Sequence, residues 1–204
     1  MDPLNAPALL RALTGLPRGP HRPTAEGDEA QAAVALILRG PEPVDLLLIK
    51  RALSERDPWS GHMALPGGRM DPGDPHLLAT ALRETREETG VVLEAGASYL
   101  GRLPAVAPGG VRLPRIRITP HVFLAGEALH AFPASHEVAA VHWVHLAELC
   151  APDAHGAVDV PLPDGTRSFP CYRVAGEVVW GLTYRILADF LGRVSAPSPP
   201  STPR

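Results

Sequence analysis

Leu78-Ala79-Thr80-Ala81-Leu82-Arg83-Glu84-Thr85-Arg86-Glu87-Glu88-Thr89-Gly90 is the stretch from which the rest of the chain can be read. At about 100° per residue, Leu78, Leu82, Thr85 and Thr89 share one face of a helix, and Glu84, Glu87 and Glu88 lie roughly opposite in adjacent turns. One side can pack on a sheet while the other projects three carboxylates into a small volume. A solvated charged face, with Arg83 and Glu87 paired at i,i+4, is the plainer alternative. Its energetics are poor. Like charges at i,i+4, as in Glu84 and Glu88, cost about 0.2–0.5 kcal/mol. Acids in the last turn also oppose the helix dipole by about 0.3–1 kcal/mol each. A hard divalent cation, which prefers oxygen ligands, reverses both penalties.

The flanks define the helix and its setting. Asp74-Pro75 reads as its opening, with Asp as cap and Pro in the first turn. Gly90 reads as its left-handed stop. Before it, Leu65-Pro66-Gly67-Gly68 gives a backbone bare of side chains where a loop must wrap closely, and a carbonyl in this turn is a further candidate ligand. No Gly-Lys-Ser/Thr follows, so the turn is not a P-loop. Apolar runs at Ala32 to Leu38 and Val44 to Lys50, split by Gly40-Pro41, read as strands. So do Val91 to Leu93, Tyr99 to Leu103, Arg115 to Leu124 and Val138 to Val144. Leu182, Ile186, Leu187 and Phe190 repeat at helical spacing and predict a last helix over Leu182 to Leu191. Strands mixed with two or three helices predict a mixed α/β layered domain.

That domain is expected to run from Ala30 to Arg193. Residues 1–29 read as an extension with a short helix over Leu9 to Leu16 and a Pro/Gly-rich linker over Pro17 to Glu29. Residues 194–204, dense in Pro and Ser, read as a disordered tail. The 204 residues suit one domain, and 45% hydrophobic content allows a real core. A net charge of −3 excludes a strongly basic nucleic-acid binder. No run approaches the roughly 20 apolar residues of a membrane span, and Met1 to Pro20 lacks the long apolar core of a secretory leader. Cys150 and Cys171 are then expected to be reduced, in a cytoplasmic protein.

Gly68 to Val91 resembles the motif of the Nudix hydrolases: Gly, five residues, Glu, seven residues, then Arg-Glu-apolar-any-Glu-Glu-any-Gly-apolar. Arg83-Glu84-Thr85-Arg86-Glu87-Glu88-Thr89-Gly90-Val91 covers its second half. Asp74 stands where Glu is usual, eight residues rather than seven separate Asp74 from Arg83, and Thr85 replaces an aliphatic residue. The resemblance implies a mixed sheet sandwiched between helices and magnesium-dependent hydrolysis of a pyrophosphate bond, with manganese as a substitute. Carried across by position, Glu84 and Glu88 are the principal metal ligands. Glu87 is a further ligand or water-activating group, Gly67 offers a carbonyl, and Arg83 orients the carboxylates.

A narrower resemblance concerns the substrate. The coenzyme A pyrophosphatase branch carries an upstream pattern similar to Leu47-Leu48-Ile49-Lys50-Arg51-Ala52, Arg56, Gly61 and Leu65-Pro66-Gly67-Gly68. One extra residue follows Arg56, and Leu65 replaces Phe. The lengthened motif and Val179-Trp180-Gly181-Leu182-Thr183 also look like this branch. Its products would be adenosine 3′,5′-bisphosphate and 4′-phosphopantetheine. Oxidised nucleoside triphosphates, ADP-ribose and a catalytically silent nucleotide-binding module remain as alternatives. Arg51, Arg56, Arg69 and Arg102 are candidates for substrate phosphates, since arginine matches phosphate bidentately. Glu137 is either a base or a solvated loop acid. His62 reads as structural, Trp59, Trp143 and Trp180 as stacking, core or rim residues, and a homodimer is left open.

Overall fold

The computed structural model describes residues 4–21, 23, 29–55, 59–109, 115–162 and 165–195. A large sheet of seven strands is built from β1 (Ala30–Arg39), β2 (Asp45–Arg51), β3 (Met63–Ala64), β4 (Gly67–Arg69), β5 (Ala97–Arg102), β6 (Ile116–Ala125) and β7 (Val138–His145). Its main path runs β3-β2-β1-β6-β5, with β4 beside β1 and β7 beside β2. β1 and β6 are parallel over their full length, from Ala30 opposite Ile116 to Arg39 opposite Ala125; the other pairs are antiparallel. Three helices flank the sheet: α1 (Ala6–Ala12), α2 (Leu77–Thr89) and α3 (Gly181–Ser195).

β1 reads as a nearly continuous apolar run because both of its faces are covered. Leu36 and Leu38 enter the main core with Leu9 and Leu13 of α1 and Ile186, Leu187 and Phe190 of α3. Ala35 and Ile37 face the other way, into a cluster that Leu78 and Leu82 of α2 pack against, and Ala33 meets Leu77 and Ala81. The sheet is therefore sandwiched between helices, the mixed α+β class the sequence implied.

Several expectations require correction. His76, not Asp74, caps α2: its Nδ1 accepts from the Ala79 amide at 3.1 Å. The first turn starts beyond Pro75, and Asp74 is buried elsewhere. Val91 to Leu93 is no strand, because Leu93–Ala95 forms a 3₁₀ turn leading into β5. A second sheet of three antiparallel strands, β8 (His155–Leu162), β9 (Gly165–Val174) and β10 (Glu177–Trp180), has no counterpart in the sequence reading. Pro161 and Pro170 hid it, since proline argues against a strand. The fold tolerates both: Pro161 lies on the edge strand, and Pro170 lies past the point where β10 stops pairing at Cys171.

α1 starts earlier than expected, and Leu9 and Leu13 are fully buried, so the N-terminal segment shares the main core. The described part of the expected linker runs along the sheet edge. The Pro17 carbonyl accepts from the Arg102 amide at 2.9 Å, and that of His21 accepts from the Leu77 amide at 3.2 Å. The last helix continues to Ser195, and the expected tail beyond it lies outside the described residues. Among the described residues no helix is long and apolar enough to cross a membrane. Cys150 is exposed and Cys171 buried, both as free thiols.

Candidate active site

α2 ends where expected: Gly90 adopts the left-handed conformation and its amide donates to the Arg86 carbonyl. Its faces differ from the sequence reading. Glu88 is only 3% exposed and lies with Ala81 and Thr85 on the buried side. Thr85 and Glu88 are three residues apart, about 60° on the helix wheel, so a buried Thr85 carries Glu88 inward with it. Glu87 stays exposed and Glu84 is half-buried.

The turn before the helix is shaped to receive these acids. Gly67 has φ +148°, and a Cβ there would lie 2.3 Å from the Ala33 carbonyl oxygen, so only glycine fits this close beside β1. At Gly68 a Cβ would lie 2.5 Å from the Glu84 carboxyl carbon. Two bare positions thus let the loop close on the helix. The Gly67 amide then donates to Glu88 Oε2 at 2.8 Å.

Arg83 organises the rest. Its Nε and Nη2 grip Asp74 at 3.1 and 2.9 Å, and Nη2 also donates to the Arg69 carbonyl. Nη1 reaches Glu84 at 2.9 Å and Glu87 at 3.0 Å. Asp74 is itself fixed by the Thr80 hydroxyl at 2.9 Å and the Asp71 amide at 3.0 Å. The extra residue between Asp74 and Arg83 therefore does not prevent their pairing. The hydrogen bond from Arg83 holds the Asp74 carboxyl down at about 2, against its burial. Burial pushes Glu84 up, opposed by Arg83. Burial also pushes Glu88 up to about 7, against the Gly67 amide and Arg51 and with the added repulsion of Glu84 and Glu137.

Of the arginines expected to meet phosphate, Arg51 stands 4.0 Å from Glu88 Oε1. Arg69 is exposed next to the Gly67-Gly68 turn. Arg56 lies outside the described residues. Arg102 is at the opposite edge of the sheet, on β5, where it donates to the Gly19 carbonyl. Trp143 stacks under Arg39 at 3.8 Å and His62 meets Trp180 edge-on.

Glu137, read from the sequence as either a base or a solvated loop acid, is exposed. Its loop is drawn over the C-terminus of α2, where the Phe132 and Ala134 amides donate to the Thr89 and Glu88 carbonyls. The Glu137 carbonyl in turn accepts from the Ala52 amide, beside Arg51. Nothing periodic marks such a loop acid.

The donor set is all oxygen, which suits a hard cation. Among the described residues no three His, Cys, Asp or Glu side chains converge as a ready cage for an ion. Arg83 draws Glu84 and Glu87 to itself, while Glu88 turns to Gly67. Magnesium requires no such cage: one or two carboxylates, waters and substrate phosphate oxygens complete its shell.

The NUDIX domain profile matches residues 29–163. Uncharacterized Nudix hydrolase NudL of Photorhabdus laumondii is 33% identical over 181 residues, 88% of this chain and 91% of that protein. NudL of Cronobacter sakazakii is 33% identical over 163 residues, 79% of this chain and 81% of that protein. A solved MutT/nudix family protein from Enterococcus faecalis shares the fold with a TM-score of 0.50 at 22% identity, over 85% of this chain and 65% of that one.

Proposed function

We propose, from the premise that this chain belongs to the Nudix hydrolase family, that it hydrolyses coenzyme A or an acyl derivative at the pyrophosphate, using magnesium held by Glu84, Glu87 and Glu88. That the enzyme is a pyrophosphohydrolase of nucleoside-diphosphate-linked compounds follows from the family. The observation that carries the site is the single guanidinium of Arg83 holding Asp74, Glu84 and Glu87 together beside the buried Glu88. A bound divalent ion supplies charge neutralisation at the phosphate oxygens and makes attacking water more acidic.

The chain's own groups do the rest. Arg83, braced by Asp74, keeps Glu84 and Glu87 on the helix face toward the Gly67-Gly68 turn. The Gly67 amide orients Glu88, and the Gly67 carbonyl is a further ligand. Arg51, next to Glu88, takes a phosphate oxygen, with Arg69 and Arg56 as further phosphate contacts. In this reading Glu137, whose charge is felt at Glu88, is the candidate acceptor of the attacking water's proton.

Coenzyme A is supported by the Leu47 to Gly68 pattern, the lengthened motif and Trp180-Gly181-Leu182-Thr183. Recognition of its 3′-phosphate by a charge-assisted contact is worth about 1.5–3 kcal/mol. Dephospho-coenzyme A is then a poorer substrate by about tenfold to a hundredfold in kcat/KM. Product analysis on a panel of coenzyme A, dephospho-coenzyme A, ADP-ribose and an oxidised nucleoside triphosphate tests this. Equal rates with and without the 3′-phosphate reject that contact, and a clear preference for either of the last two compounds rejects coenzyme A.

A further inference from the structure

Three rings stand together outside the apolar clusters of the core. His62 and Trp180 meet edge-on with centroids 4.8 Å apart, and Trp180 and Phe169 are tilted at 5.5 Å. All three are half-buried. Aromatic rings of this size usually dominate a core, and a cluster left at the surface calls for a use other than packing.

Register places the cluster on the catalytic side. Lys50 pairs with Met63, and the Arg51 amide donates to the His62 carbonyl at 3.0 Å, so Arg51 and His62 oppose each other and point to one face. That is the face on which Arg51 approaches Glu88. In the small sheet Trp180 opposes Cys171, and Phe169 precedes Cys171 by two, so both rings share a face. The other face sends Tyr172 and Val179 into the main core. Lys50 bonds Glu177 and ties β2 to β10, which fixes the two sheets at this junction. The order outward from the buried Glu88 is thus Arg51, His62, Trp180, Phe169: a cation, then aromatic rings.

We propose that His62, Trp180 and Phe169 form the stacking subsite for the nucleobase of the substrate, a ribose beyond the phosphate held at Arg51. The inference rests on the nucleoside-diphosphate reading of the site. A purine is favoured over an aliphatic arm because planar rings match a wall of half-exposed rings. Base–aromatic stacking is also strong enough, about tenfold per base, to position the ligand.

Binding tests this without turnover. Titration calorimetry compares adenosine monophosphate with ribose 5-phosphate, which keeps the sugar and phosphate and lacks the base. The wild-type protein binds the nucleotide about tenfold more tightly. Trp180→Leu removes that advantage, whereas Trp180→Phe keeps most of it. Equal affinity for the two ligands overturns the proposal, as does Trp180→Leu binding the nucleotide like the wild type. If Trp180→Leu does not fold, Phe169→Leu and His62→Ala are read the same way, and an undiminished base advantage in both overturns it. Hydrolysis is measured in parallel. Base-dependent binding without hydrolysis sinks the activity reading and leaves the subsite, and hydrolysis without it does the reverse.

Discussion

On one face of the large sheet, Leu36, Leu38, Leu46 and Leu48 meet α1 and α3 in a continuous apolar core. On the other, α2 lies over Ala33, Ala35 and Ile37 and brings Asp74, Thr80, Thr85, Glu88 and Thr89 inside with it. Each buried polar group there needs a partner, and an orphan costs about 1–3 kcal/mol. Asp74 has three partners, while the Thr85 hydroxyl has none. The α1/α3 face carries the stability that the α2 face gives up in order to hold carboxylates at close quarters.

The two faces should respond oppositely to mutation. Glu84→Gln and Glu88→Gln keep the fold, since each removes a charge that burial disfavours, and lower turnover by roughly two orders of magnitude or more. Near-normal turnover in both at saturating magnesium would remove the proposed site. Phe190→Ala, on the α3 side, costs about 3–5 kcal/mol of stability. It leaves kcat of the folded fraction unchanged, as denaturant titration and rates on the same sample will show. If kcat falls together with stability, the division between the faces is wrong.

His121 sharpens the comparison through pH. On β6 it alternates with Val122 of the main core and so faces the α2 side with Phe123. Its Nδ1 meets the Tyr99 hydroxyl at 2.9 Å, and Nε2 is buried without a partner. Burial, helped by Arg102, His21 and His76, lowers its pKa from 6.5 to about 4. The unfolded chain therefore takes up this proton first. The contribution is fully present above pH 6.5 and is lost as pH falls toward 4, about 3 kcal/mol in all. Carboxylates titrate in the same range, so the readout is the difference between wild type and His121→Gln. Between pH 7.5 and 4 that difference should move by about 3 kcal/mol against the wild type. A constant difference in unfolding free energy refutes it.

The same contrast explains what the sequence disclosed. α2, its Gly90 stop, β1, β2, β6, β7 and α3 announce themselves by local pattern, and the residue types of the acidic face survive in the structure. A wheel drawn through Leu78 and Leu82 turns Glu88 outward because it leaves out Ala81, the small residue that lets the helix approach the sheet. Asp74 reads as a cap because caps are local, whereas its partner Arg83 lies nine residues on. The small sheet is made of two local hairpins, Leu162 opposite Gly165 and Val174 opposite Glu177, but Pro161, Pro170 and the mostly exposed faces of β8 and β9 mask its pattern. The Glu137 loop, by contrast, meets Ala52 far away in sequence.

β1 and β6 pair in parallel, Ala30 beside Ile116, at the centre of the sheet. The intervening chain holds β2 to β5 and the whole of α2, so a very large loop must close before this pair forms. Closure entropy grows only slowly with loop length, but such non-local pairing is slow to find. The close pairing of Gly67 beside β1 exists only once β1 is in place. On refolding, helix content should therefore return before activity does, since the acids of α2 meet the Gly67-Gly68 turn in the last act of assembly rather than the first.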